Sequence, residues 1–253
     1  MTTTKLARES APTGIGDDLR PLLRVHEEVA RFRLSATRVR KARANVAAGR
    51  VAFDATEVIR SAGNLDAHLG RMAMAFEMCG LASAKELEAF RSEHSSAEPL
   101  ITAWLAGERG APHDHGRRIA LRAASLVANA VLRSAAAQAG KGAQLTLWKQ
   151  TTCLCCGGSP DIAVRAAGTR WLVCSRCDTR WIAPTAGCLG CEATRPPTFV
   201  RVDAPDLGYE LLVCHACARY MKERSADGMQ SPLVERAVTV ELDAAAERRG
   251  LRI

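Results

Sequence analysis

The chain has 253 residues, 47% of them hydrophobic, which excludes a disordered polypeptide and leaves room for two domains. Its formal net charge of +8 sits almost wholly in residues 1–149, with 22 Lys and Arg against 15 Asp and Glu, whereas residues 150–253 carry 13 against 12. No stretch approaches the roughly 18 consecutive apolar residues of a membrane span, and Met1 to Asp18 lacks the charged start and apolar run of a secretory signal. The expected location is therefore the cytoplasm, without membrane insertion.

In chain order, residues 1–17 hold Thr, Ser, Pro and Gly without periodicity and read as a flexible N-terminus. Helical spacing begins after Asp17 and Asp18, either of which can cap the first helix, with Leu19, Leu22, Leu23, Val25 and Val29 on one face. Arg31, Arg33, Arg38, Arg40, Lys41 and Arg43 form a basic helical segment, read first as solvated surface and second as a seat for an acidic partner or phosphate backbone. Further helices are expected over 52–62, 65–78, 84–90 and 98–106, with Gly80 as a stop. Residues 107–116 read as a loop. His113, Asp114 and His115 there are an exposed polar cluster rather than a metal site. Arg117–Ala139 is the clearest long helix, ended by Gly140. Cys79, after the apolar run from Met72, reads as a small buried hydrophobe.

Beyond Gly140 the character changes to short β-like runs, such as 171–173 and 210–213, broken by Gly and Pro. Eight of the ten cysteines lie here as four CxxC pairs: Cys153 and Cys156, Cys174 and Cys177, Cys188 and Cys191, Cys214 and Cys217. Each pair can offer two thiolates to one ion from a tight turn, and two pairs complete a tetrahedral site. The intervals of 17 residues between Cys156 and Cys174 and 22 between Cys191 and Cys214 suit metal ribbons. Consecutive pairing is the simplest arrangement, with interleaving as the alternative. All-thiolate coordination suits iron and zinc alike. Two divalent ions on eight thiolates would bring the C-terminal half to about −3, no surface for nucleic acid. Cys155 is left as a spare thiol and His215, inside the fourth knuckle, as solvent-facing. Residues 233–249 read as a closing helix, at least from Leu242.

The chain shows no P-loop, G-x-S-x-G or H-E-x-x-H motif, and closed four-thiolate sites leave no open position for water. The expected protein is not an enzyme. The alternatives are a zinc-ribbon nucleic-acid binder, weakened by only 4% aromatic residues, and a thiol redox protein, weakened by the ribbon spacing.

Five segments resemble the FdhE family of formate dehydrogenase accessory proteins. Residues 153–160 (CLCCGGSP) are similar to that family's CPxCGSxP opening, and residues 170–181 (RWLVCSRCDTRW) to its second knuckle. Residues 188–192 (CLGCE) and 214–222 (CHACARYMK) resemble the third and fourth, and 235–250 the closing helix. This chain departs in having Leu154 and Cys155 inside the first knuckle and Arg180 before Trp181. The resemblance covers about residues 148–252. It implies a cytoplasmic, rubredoxin-like metal-binding protein that matures the catalytic subunit of a formate dehydrogenase, with two metal ions per chain, iron or zinc. No nucleic-acid partner is implied, and a homodimer is compatible with it.

The expected fold is α+β: an N-terminal all-α domain over 18–147, a first four-cysteine ribbon over 148–185, a second over 186–232 and a C-terminal helix over 233–253.

Overall fold

A computed structural model describes residues 18–93, 96–108, 114–140, 148–184, 186–227 and 231–253. The expected flexible segment 1–17 lies outside them, as does His113. Helices α1 (Arg20–Val29), α2 (Ala36–Ala47), α3 (Ala55–Arg60), α4 (Leu65–Met78), α5 (Ala84–Glu93) and α6 (Ala97–Leu105) surround α7 (His115–Ala139). Small residues let α7 serve as the hub: Ala120, Ala123, Ala124, Ala128, Ala130 and Ala135 are all buried, so neighbouring helices approach closely. α7 is also long and apolar enough, by length and composition, to cross a membrane, which corrects the sequence reading. With 78% of its most apolar window buried, its apolar face is already satisfied by the other helices.

Helix starts differ from expectation in instructive ways. Of the two expected caps, Asp17 lies outside the described residues and Asp18 does not cap α1, which follows Leu19; Pro21 sits in its first turn, where a missing N–H costs nothing. α3 starts later than 52 because the Asp54 side chain accepts from the Glu57 amide at 2.8 Å, which leaves 51–53 outside the helix. α7 starts earlier, at His115, because Asp114 accepts from the Arg117 amide at 2.8 Å. Gly80, at φ +68°, follows Cys79 and turns the chain out of α4, as expected of a stop. Cys79 itself is half-buried rather than buried.

The C-terminal half builds one six-stranded sheet from β1 (Pro160–Ala166), β2 (Thr169–Cys174), β3 (Arg180–Ile182), β4 (Phe199–Ala204), β5 (Tyr209–Cys214) and β6 (Arg219–Ser225). The order is β3-β2-β1-β6-β5-β4. Each ribbon contributes an antiparallel three-stranded half, and the halves join where β1 runs parallel to β6, Ile162 opposite Lys222. Glu223, fully buried, reinforces the join: it meets Arg165 and Arg170 of the first half at 3.1 and 2.8 Å, and Arg201 of the second at 2.8 Å. The cores are continuous as well, since one apolar cluster runs from Leu22 through α7 to Trp148, Leu172, Trp181 and Met221.

The closing helix is two helices, α8 (Pro232–Val238) and α9 (Val240–Arg248), broken at Thr239. Thr239 Oγ1 donates to Glu235 O at 2.7 Å and accepts from Lys222 Nζ at 3.0 Å. Both helices lie on the sheet face that carries Tyr220, Lys222 and Arg224. Tyr220 and Lys222 each bond Asp243 at 2.7 Å, and Arg224 meets Glu235 at 2.8 Å. These partners explain how Lys222 can be wholly buried.

Candidate metal centres

Each CxxC pair sits in the same backbone device. The second cysteine is followed by a left-handed residue: Gly157 (φ +69°), Asp178 (φ +57°), Glu192 (φ +61°) and Ala218 (φ +52°). In three knuckles the amide of that residue bonds the carbonyl of the first cysteine, as Gly157 to Cys153 at 2.9 Å, Asp178 to Cys174 at 3.2 Å and Glu192 to Cys188 at 2.8 Å. The turn also aims amides at sulfur: Cys155 at Cys153, Arg176 at Cys174 and Gly190 at Cys188, at 3.3, 3.4 and 3.3 Å. N–H groups pointed at a sulfur favour its thiolate form, the form a metal binds.

The four knuckles converge two by two, in the consecutive pairing. Cys153, Cys156, Cys174 and Cys177 form site 1; Cys188, Cys191, Cys214 and Cys217 form site 2; within each, the sulfurs lie within 4.8 Å of one another. In site 1 the Sγ atoms of Cys153 and Cys177 are 3.5 Å apart and those of Cys156 and Cys174 3.4 Å. Site 2 repeats this pairing, Cys188 to Cys217 at 3.5 Å and Cys191 to Cys214 at 3.4 Å. Sulfurs bound at about 2.3 Å to one tetrahedral ion would stand about 3.8 Å apart. The observed separations come within a few tenths of an ångström of that and are far too long for disulfides, of about 2.05 Å. The donor set fits a tetrahedral ion in both places.

The surroundings differ. All four sulfur ligands of site 1 are buried, whereas in site 2 Cys191 is exposed and Cys217 half-buried. Without metal, burial and neighbouring thiols push Cys174 and Cys177 well up; at Cys153 burial also raises the pKa, but surrounding thiols donate to its sulfur and the net shift is downward. In site 2, burial raises Cys214, yet the amides of Cys217 and Ala216 and the thiol of Cys191 outweigh it and hold Cys214 at about 7. Cys217 is pushed up to about 12 by burial and by neighbouring thiols.

Site 1 is also wired into the helices. Arg236, on α8, grips Asp161 at 2.6 and 3.0 Å, Asp178 at 2.7 Å and the carbonyl of Cys174 at 2.8 Å. Burial opposes the charge on Asp161, but the Arg236 guanidinium prevails and holds its carboxyl below the ordinary range. Asp178 in turn accepts from Asn129 of α7 at 3.2 Å, which also donates to the carbonyl of Arg176 at 3.1 Å and bonds His26 at 2.8 Å. Burial lowers the His26 pKa despite that bond, so the ring is neutral and donates from Nε2 to the Asn129 carbonyl oxygen. Sequence reasoning missed Asp161, Asp178, Arg236, Asn129 and His26. The one available signal was Asp178, a residue tolerant of left-handed geometry placed directly after a CxxC.

The remaining candidates stay outside both clusters. Cys155 is buried; its amide donates to Cys153 Sγ at 3.3 Å, while its own thiol stays outside the four-cysteine cluster. His215 is exposed, in keeping with a solvent-facing reading. His115 is exposed at 3.3 Å from Glu86.

No family model matches the chain. It is 30% identical over 106 residues to the FdhE homolog of Glaesserella parasuis serovar 5 (strain SH0165), covering 40% of this chain and 35% of that one. It is 28% identical over 111 residues to the FdhE homolog of Aquifex aeolicus (strain VF5), covering 41% and 39%. The matched part thus spans little more than a third of the length of these curated relatives. The crystal structure of the FdhE protein from Pseudomonas aeruginosa superimposes with a TM-score of 0.65 over 92% of this chain and 84% of that one, at 19% identity. The α+β arrangement is therefore a shared fold.

Proposed function

We propose that the chain is a member of the FdhE family and acts as a cytoplasmic, non-enzymatic assembly factor for the catalytic subunit of a formate dehydrogenase, a reading supported by its similarity to FdhE homologs and its shared fold. The observation that carries this reading is the pair of four-cysteine clusters, each with a tetrahedral donor set, on that fold. In this proposal Cys153, Cys156, Cys174 and Cys177 hold one ion and Cys188, Cys191, Cys214 and Cys217 a second, iron or zinc. Four thiolates close each coordination sphere, so the ion would fix the knuckles and, if iron, exchange single electrons without binding substrate.

The division of the chain follows the same reading: a helical part over 18–147, ribbons over 148–185 and 186–232, and closing helices over 233–253. The test is genetic and biochemical together. Deletion of the gene should abolish formate dehydrogenase activity while leaving the catalytic polypeptide present, and the tagged chain should capture that polypeptide. Normal activity in the deletion strain, with no captured subunit, would sink the proposal.

A further inference from the structure

Between α2 and the first cysteine knuckle lies a cleft of about 920 Å³, which touches site 1 only through Cys156. Its outer wall is α2, which carries Arg38, Arg40, Lys41 and Arg43 and no carboxylate. Arg40 and Arg43 are occupied by Thr37 and the carbonyl of Gln138, at 3.2 and 3.0 Å. Arg38 and Lys41 line the cleft, are exposed, and have no ion pair among the described residues. Arg176 adds a third cation from the opposite wall, held by its bond to the Leu105 carbonyl at 2.7 Å. The floor is apolar, with Leu34, Ala42, Ala52 and Val58 buried beneath it.

Carboxylates are present on one rim only, at the start of α3. Asp54 is engaged in capping the Glu57 amide, and Glu57 faces solvent. Exposed Thr102 and Ala106 on the far rim leave the cleft open along one side. Small-ligand sites usually engulf most of their ligand. An open cleft with an apolar floor and a row of cations suits a chain segment that enters and leaves. The only aromatic residue among its described lining is Phe53, so the cleft offers little for nucleic-acid bases to stack on.

We infer that this cleft docks an acidic peptide segment of a partner protein, with carboxylates on Arg38, Lys41 and Arg176 and apolar side chains on the floor. Docking is felt at site 1. Cys156 lines the cleft, and the Arg176 amide that donates to Cys174 belongs to the same residue whose side chain meets the peptide. The inference does not depend on which enzyme the partner is.

The probe is a fluorescent peptide of alternating Glu and Leu, titrated into the metal-loaded full chain and followed by anisotropy. Binding should weaken steeply between about 0.1 and about 1 M salt as screening tightens. Arg38→Glu with Lys41→Glu should weaken it about tenfold or more, equivalent to about 1.4 kcal/mol. Arg24→Glu with Arg91→Glu, outside the cleft, should change it less than about twofold. Thr102→Trp should block the cleft without altering charge, which keeps the test valid if the charge reversals disturb folding. On binding, the amide resonances of Cys156 and Arg176 should move while those of Cys191 and Cys217 stay.

Equal loss in both charge-reversal pairs, or full affinity in Thr102→Trp, overturns the inference. So does a single-stranded oligonucleotide that displaces the peptide and binds more tightly, which would make the surface one for nucleic acid.

Discussion

The two metal centres share a knuckle, a strand order and a sulfur pairing, yet they sit in opposite surroundings. Site 1 is buried beneath α7 and α8 and is tied to both by Asn129 and Arg236. Site 2 lacks such ties among the described residues, and its Cys191 is exposed. Ligand chemistry alone does not distinguish them. What differs is how much of the protein depends on each cluster, and therefore what losing its ion would do.

The largest expected contrast comes from removing one ligand in each. Cys174→Ser should cost site 1 its ion and, with it, the packing of knuckles, β1 and α8 around it. Structural zinc is worth about 10–16 kcal/mol of folding energy, comparable to a whole domain's stability of about 5–15 kcal/mol. Circular dichroism should therefore show loss of the cooperative melt. Cys191→Ser should leave the melt within a few degrees of wild type with about one ion per chain. Equal damage from the two substitutions would show that site 2 is as deeply structural as site 1.

Chelation tests the same contrast by rate. A chelator at neutral pH should strip site 2 first, through exposed Cys191, and site 1 only on unfolding. Reloading of site 2 should then fail as pH drops. In the metal-free state Cys214 titrates at about 7, so above that value it offers a thiolate and below it a thiol that the ion must deprotonate. Metal content measured after reloading across this window should fall with pH; a flat profile would mean that Cys214 does not control entry.

A smaller effect is expected from the polar links of site 1. Arg236→Met leaves the carboxylates of Asp161 and Asp178 facing each other without their cation. Removing one partner of a buried pair costs about 3–5 kcal/mol. The lower end applies, because the Arg236 side chain is 20% exposed while Asp161 and Asp178 are 5% and 7% exposed. Denaturant unfolding should report a loss of about 3 kcal/mol, with chelator access to site 1 increased and to site 2 unchanged. The reverse order of access would place Arg236 in the wrong half of the comparison.

Much of this contrast was illegible in the sequence. The eight cysteines, their consecutive grouping and the helical first half follow from spacing and periodicity, which are local. The parallel pairing of β1 with β6 joins residues about 60 positions apart and leaves no local trace. Buried charges are equally hidden: Arg236 and Asp161 look like ordinary surface residues until the fold brings them to 2.6 Å. The break at Thr239 is hidden too, since the helical pattern continues through it and only the Lys222 contact shows why a hydroxyl is needed there. Even the exposure of Cys191, on which the contrast rests, is a property of the packing around its turn that CxxC spacing does not encode.

The smallest effect concerns the left-handed residues that close each knuckle. Site 1 uses Gly157 and Asp178, which reach that geometry easily, whereas site 2 uses Glu192 and Ala218, which do not. A left-handed L-residue costs about 1–2 kcal/mol, while a glycine there returns about 0.5–1 kcal/mol to the unfolded chain's entropy. Ala218→Gly should therefore stabilise the second ribbon by about 0.5 kcal/mol and slow chelation of site 2 slightly. Gly157→Ala should destabilise the first. A new Cβ at Gly157 would meet Val51 at an ordinary 3.8 Å, so its cost is conformational rather than steric. Opposite signs for the two substitutions are the required result. If Ala218→Gly destabilises instead, the strain assigned to site 2 is offset by contacts of the Ala218 methyl group, and its weaker hold on metal rests on exposure alone.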